Sequence, residues 1–180
     1  VEVVRADPAV ARAMDAVGGE AMIAAVMGPH CRDPKQEIAE FRARHAVVAT
    51  PDDLAFPGVR DALAALAAAG VGMAICSNKP QHLCEKILAD LDIARHFAAI
   101  VGARAELPRK PAPDGARLAL AALAADPAAT LYVGDSPVDV ATARAAGLPL
   151  ALVDWGYGFA DARIAAPDAR VLHSLVQLLD

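Results

Sequence analysis

The fold class that this sequence predicts is α/β, a parallel sheet covered by helices and preceded by a helical segment. Two patterns carry that expectation. From about residue 57 to about residue 153, apolar runs of strand length alternate with longer segments of helical period. Over the first 55 residues the period is helical and no strand pattern occurs. Composition adds that a real core can form: of 180 residues, 56% are hydrophobic, 22% charged and 4% aromatic. That length suits one domain with a modest insertion, and the apolar fraction excludes a disordered chain.

The elements follow in order. Pro8 to Met27 carries Val10, Met14, Val17 and Ala21 at helical spacing, broken at Gly18-Gly19, and Lys35 to Val47 is a second helical stretch. Ala49 to Ala55 reads as a linker, which divides the chain into a helical segment at 1–55 and an α/β core at 56–180. Pro57-Gly58 opens a helix that aligns Val59, Leu63 and Leu66 and is closed by Gly70. Val71 to Cys76 reads as a buried strand, and a helix from about Pro80 to Asp90 places Leu83, Ile87 and Leu91 on one face. Ala98 to Val101 is the next strand, Asp114 to Ala125 a helix with Leu118 and Leu123 directed inward, and Thr130 to Val133 another strand. Ser136 and Pro137 take the N-cap and first helical positions of a helix ended by Gly147, and Leu148 to Val153 is a further buried strand. Strand–helix units of this length imply a parallel sheet with helices on both faces, and a ligand site at the carboxyl ends of its strands.

Several function classes drop out. The net charge of −5, with no Lys/Arg block, argues against a nucleic-acid partner. No apolar run reaches the ~18 to 20 residues of a membrane span, and no signal-peptide pattern opens the chain. Cys31, Cys76 and Cys84 are odd in number and form no CxxC pair, which fits free thiols in a reducing cytoplasm. Cys76, at the end of an apolar run, reads as a small buried hydrophobe rather than a nucleophile.

Chemistry-bearing residues gather just beyond predicted strands. Ser77-Asn78-Lys79-Pro80 offers a hydroxyl and backbone N–H groups at a helix start, a cradle for an anion, although an ordinary N-cap gives the same pattern. Lys110 sits in the proline-stiffened run Leu107-Pro-Arg-Lys-Pro-Ala-Pro113, suited to neutralising a phosphate. In Gly134-Asp135-Ser136-Pro137-Val138-Asp139, two carboxylates one helical turn apart point to a shared cation, for which Mg²⁺ is suited. Trp155-Gly156-Tyr157-Gly158 follows the last strand and reads either as a loop beside the crevice or as ordinary loop packing.

In this order and spacing, the motifs resemble the haloacid dehalogenase superfamily. Ser77 matches its second motif, Lys110 its third, and Asp135 with Asp139 its fourth. Phe56-Pro57-Gly58-Val59, Ser77-Asn78-Lys79-Pro80, Arg109-Lys110-Pro111-Ala112-Pro113 and Gly156-Tyr157-Gly158 are most similar to its phosphoglycolate phosphatase branch. The resemblance implies a Rossmann-like parallel sheet with a helical cap segment, of which residues 1 to about 50 would be part. It implies hydrolysis of a small phosphorylated metabolite through an aspartyl-phosphate, with Mg²⁺. Ser77 and the backbone near Asn78 would hold the phosphoryl oxygens, and Lys110 would pair their charge. Asp135 would bind the metal directly, and Asp139 would position the metal or its waters. A non-catalytic phosphate- or Mg²⁺-binding relative, a mutase and a phosphonatase are the alternatives. A dehalogenase needs no metal, and the pair Asp135 and Asp139 speaks against it.

The resemblance also implies a first motif, an apolar strand ending in DxDxT, that supplies the nucleophile and the general acid. These residues hold no such motif: the DxD at Asp90-Leu91-Asp92 lies at a helix end, and Asp7 has no second Asp. In the family that strand is central, between the strands that here end at Cys76 and Gly134. The expectation is therefore a sequence that begins after the first motif, with four of five core strands and no turnover of its own. Val1 in place of a methionine agrees with it.

Overall fold

The computed structural model describes residues 6–14 and 18–179. Val17 and the opening Val1–Arg5 lie outside the described residues. The chain divides into two compact units, Val1–Val48 and Ala49–Asp180.

The first unit is helical. Helix α1 (Pro8–Ala13) starts where Asp7 caps the Ala9 N–H and Pro8 fills a position whose own N–H needs no partner. Helix α2 (Gly19–Met27) follows Gly18, whose φ of 119° is open to glycine and strained for other residues. Helix α3 (Pro34–Val47) is capped by Asp33 through the Lys35 and Gln36 N–H groups. At Gly19 a Cβ would lie 2.6 Å from the Arg42 guanidinium and 2.9 Å from Ile38, so the glycine lets α2 and α3 approach. Ile23 and Ile38 are buried.

The second unit is α/β and all its strand pairs are parallel. Helix α4 (Val59–Ala68) buries Ala62, Leu63 and Leu66, with Gly70 at φ +77° turning the chain out of it. Strand β1 (Ala74–Pro80) follows, then helix α5 (Gln81–Asp90) and strand β2 (Ala99–Ala103). Helix α6 (Asp114–Leu123) leads to strand β3 (Tyr132–Gly134), and helix α7 (Pro137–Ala146) to strand β4 (Leu150–Val153). Helix α8 (Phe159–Ala165) and strand β5 (Arg170–Leu172) complete the unit.

Three differences from the sequence reading have physical causes. Strand β1 begins at Ala74, where pairing with Ala99 starts, and runs through Pro80, so Ser77 lies within the strand and not at a helix N-terminus. Leu118 is 42% exposed, and the inward face of α6 is made of Gly115, Ala116, Ala119 and Leu120, because small residues let the helix lie close to the sheet. Helix α8 and strand β5 are too short to show a period, and carry only Ala162 and Leu172 as buried anchors.

Among the described residues the strands form two sheets, β1-β2 and β3-β4-β5, and β1 and β3 are not paired with each other. One core nonetheless joins them: Ala116 and Leu120 of α6, Tyr132 of β3, and Ala143 of α7 pack together with Cys76 of β1. The chain steps from β1 to the adjacent β2, and α6 packs against both strands on the way to β3. At the carboxyl ends of β1 and β2, where parallel α/β sheets bind their ligands, a small cavity opens. Core strands of parallel sheets are ordinarily buried on both faces. Here β1 is half-buried over Ala74–Asn78, and Val133 of β3 is 36% exposed.

Candidate active site

Of the residues singled out from the motifs, Ser77, Asn78 and Lys110 line this cavity, and Asp139 is bonded to Lys110. Asn78, near the end of β1, grips the backbone of Lys110: its Nδ2 donates to the Lys110 carbonyl at 3.0 Å, and its Oδ1 accepts from the Lys110 N–H at 2.8 Å. The loop carrying Lys110 is thereby fixed to β1 although it follows β2 in sequence. Ser77, Asn78, Arg109 and Lys110 line one small cavity with Cys76, and Gly115 forms part of its wall. The Ser77 hydroxyl accepts the Lys79 N–H at 3.1 Å, which makes a local turn and leaves its own proton to donate.

Lys110 Nζ reaches Asp139 Oδ1 at 2.7 Å, and both side chains are largely buried. Asp139 is the most heavily bonded group in the site. Oδ1 also accepts from the Tyr132 hydroxyl at 3.2 Å, while Oδ2 accepts from the Asp135 N–H, the Ser136 N–H and the Ser136 hydroxyl. Ser136 returns the favour by accepting the Asp139 N–H, the reciprocal capping box that starts α7. Burial disfavours the charged carboxylate, but the Lys110 ammonium and the surrounding donors outweigh it and hold Asp139 below the usual carboxylate range. Burial, with the negative Asp139 beside it, pushes the Tyr132 hydroxyl the other way, so it stays a neutral donor. Burial likewise raises the Cys76 thiol, a poor nucleophile as expected.

Asp135 faces a different neighbour. Its Oδ2 accepts the Gly158 N–H at 3.2 Å, and Gly156 lies so close that a Cβ there would sit 2.1 Å from the Asp135 Cβ. The two glycines of the Trp155–Gly158 run thus serve as a seat for this carboxylate. That role is readable in the sequence only as glycines beside an aromatic residue; the close approach appears in three dimensions.

The described residues assemble no group of three or more His, Cys, Asp or Glu side chains that could hold a metal ion. A hard cation that keeps several waters needs only one or two protein carboxylates. Asp135 fits that requirement. Asp139, with five donors on two oxygens, is an anchor for Lys110 and for the start of α7.

The DxD at Asp90-Leu91-Asp92 lies elsewhere. Asp90 pairs with Lys86 and accepts the Thr50 N–H, which, led by the Lys86 hydrogen bond, lowers its carboxyl to about 2. Asp92, at φ +54°, pairs with Arg95.

Comparison with known proteins agrees with this geometry. The family profile of haloacid dehalogenase-like hydrolases matches residues 10–147. The phosphoglycolate phosphatase of Rhodospirillum rubrum is 40% identical over 124 residues, which cover 67% of this chain and 50% of that protein. That of Escherichia coli is 34% identical over 140 residues, covering 77% and 55%. The chain therefore spans about half the length of the curated relatives it matches. Among solved structures, a haloacid dehalogenase-like hydrolase from Bacteroides fragilis superposes with a TM-score of 0.78 at 26% identity, over 96% of this chain and 82% of that one. CbbY from Rhodobacter sphaeroides, solved with xylulose-(1,5)bisphosphate, shares the fold with a TM-score of 0.71 at 24% identity, over 96% and 80%.

Proposed function

The chain belongs to the haloacid dehalogenase-like hydrolases, and on that premise we propose that it forms the phosphate- and metal-binding part of a Mg²⁺-dependent phosphomonoester hydrolase whose substrate is phosphoglycolate. The single observation that carries the reading is the link Asn78–Lys110–Asp139, which joins the strand end bearing Ser77 to a fixed cation and to the carboxylate that the Asp135 N–H also bonds. Relatives that carry the name phosphoglycolate phosphatase support the choice of substrate.

Each side chain has work that phosphoryl transfer requires, where positioning and charge neutralisation supply most of the rate. Ser77 donates its hydroxyl proton to a phosphoryl oxygen, and Lys110 places a positive charge beside it. Asn78 fixes where that charge stands by holding the lysine's backbone, and Asp139 fixes the ammonium. Asp135 would hold the Mg²⁺, which when bound would stabilise the charge that grows on the phosphoryl group.

The nucleophilic carboxylate and the general acid of the family's first motif are not among these residues. We infer that they belong on a strand between β1 and β3, because both strands keep an open edge there and their carboxyl ends meet at Lys110 and Asp139. The test compares this chain with a form that adds an apolar strand ending in DxDxT ahead of it. With phosphoglycolate and Mg²⁺, the extended form turns over and this chain does not. Hydrolysis by this chain alone, free of host phosphatases, overturns the assignment of the nucleophile. Mg²⁺ binding without turnover in the extended form favours the non-catalytic reading instead.

A further inference from the structure

The seat of Asp135 is itself held from outside the site. The run Asp154–Gly158 leaves β4 and ends where α8 begins, and its far end contacts the Asp135 carboxylate through Gly156 and Gly158. Its near end is tied down twice. The Asp154 N–H donates to the Leu172 carbonyl at 3.2 Å, and Asp154 Oδ2 lies 2.5 Å from His173 Nδ1. His173 follows β5 directly, and its own N–H donates to Gln177 Oε1 at 2.7 Å, so the imidazole is presented from a fixed backbone. Between the two ends, Trp155 meets Phe56 edge to face, with ring centroids 6.4 Å apart.

We propose that His173 is a positioning residue for Asp135, acting through Asp154 and the 154–158 loop. The physical argument is steric and directional. A glycine N–H that must reach a carboxylate at 3.2 Å, beside a second glycine that leaves no room for a Cβ, tolerates little displacement. A five-residue run has few ways to vary once its first side chain and its last N–H are bonded. Release of the Asp154 side chain leaves the near end held by its backbone bond to Leu172 alone, and the Gly158 N–H then leaves Asp135 more often. His173 is 67% exposed and Asp154 35%, so the effect is on the scale of an exposed ion pair, about 3- to 5-fold. The role of Asp135 as metal ligand rests on the proposed function; the restraint on the loop does not.

The test uses the full chain with His173→Ala and His173→Asn. Amide hydrogen exchange is read by NMR at Gly158 and, as a core reference, at Leu66. Trp155, the chain's single tryptophan, reports the loop by its emission, and Mg²⁺ is titrated calorimetrically. In His173→Ala the expected results are about 3- to 5-fold faster exchange at Gly158 with Leu66 unchanged, a red-shifted Trp155 emission, and Mg²⁺ affinity about 3-fold weaker. The asparagine amide carries an N–H donor on Cγ where the imidazole carries Nδ1, so His173→Asn restores all three. Unchanged Gly158 exchange in His173→Ala, equal acceleration at Gly158 and Leu66, or no rescue by asparagine overturns the proposal. Asp135→Asn separates the two readings. If it leaves Mg²⁺ affinity intact, the metal role of Asp135 falls, and the exchange data still decide the role of His173.

Discussion

Replacing Asp139 by asparagine keeps its shape and removes its charge, and the structure gives the size of the effect. The amide oxygen, turned toward Ser136, retains the bonds from the Ser136 N–H and hydroxyl, and the amide NH₂ then meets the Tyr132 hydroxyl, which accepts as readily as it donates. What is lost is the 2.7 Å ion pair with Lys110. Removing one partner of a fully buried pair costs ~3–5 kcal/mol. These side chains are 14% and 8% exposed, so water reaches the stranded ammonium, and the expected loss is ~2–3 kcal/mol. Urea unfolding followed by Trp155 emission and far-UV circular dichroism measures it. The reverse change, Lys110→Met, adds a check through pH. In the parent protein Asp139 is held below the usual carboxylate range, so its contribution is full above that range and lost as pH falls through its folded value. Without Lys110 burial drives the carboxyl upward, so the variant's folded state takes up a proton at a higher pH than the parent's. The stability gap between the two proteins is then widest near neutral pH and narrows as pH falls through the usual carboxylate range. A loss below ~0.5 kcal/mol for Asp139→Asn, or a gap independent of pH, would refute the reasoning.

Gly156→Ala places a methyl 2.1 Å from the Asp135 Cβ and displaces that carboxylate; calorimetry should show Mg²⁺ affinity falling about tenfold or more. Gly58→Ala meets no atom within 4 Å and carries only the strain of φ +74°, so it should cost ~1–2 kcal/mol in urea unfolding and leave Mg²⁺ binding as it was. Gln81→Ala removes two bonds to β2, from Nε2 to the Ile100 carbonyl at 2.8 Å and from the Gly102 N–H to Oε1 at 2.6 Å. Where the β1–β2 register shifts, this side chain stands in for the ladder; the expected cost is ~1–3 kcal/mol, with faster amide exchange at Gly102. Asp90 should titrate at about 2 by NMR, and return toward the usual carboxylate range in Lys86→Met.

The alternation of strand and helix was legible because glycines and prolines mark its joints: Gly70 and Gly147 take positive φ at helix ends, and Pro137 opens α7. The candidate site residues were picked out as types at spacings, but their different surroundings were not legible. Asp135 and Asp139 look equivalent in a sequence, two carboxylates one turn apart. Only the fold shows that five donors converge on Asp139 while the Asp135 carboxylate is seated on the Gly158 N–H. Ser77 looks like an N-cap because a hydroxyl before a proline is read locally, whereas pairing across to β2 keeps the chain extended to Pro80. Leu118 misleads for a related reason. Its helix packs closely through alanine and glycine, which a search for large apolar residues passes over. His173 and Asp154 are nineteen residues apart and share no motif, so only parallel pairing of β4 with β5 brings them together.

Lys110 shows why the divided sheet and the chemistry are one problem. Its backbone is gripped by Asn78, which belongs to β1, and its ammonium by Asp139, which belongs to the helix that follows β3. The lysine therefore bridges two half-sheets that share no ladder hydrogen bond among the described residues. The position of its charge depends on how far apart those half-sheets stand, because one end of the residue moves with each. Adjacent strands lie ~4.8 Å apart, so a strand seated between β1 and β3 would fix their separation at about twice that distance. The same strand would end beside Lys110, at the reversal point where α/β sheets bind their ligands. A carboxylate carried there would meet a cation whose place the strand itself had set. On the proposed function, strand insertion and assembly of the phosphate site would be one event, and substitutions that loosen the Asn78–Lys110–Asp139 link should weaken both together.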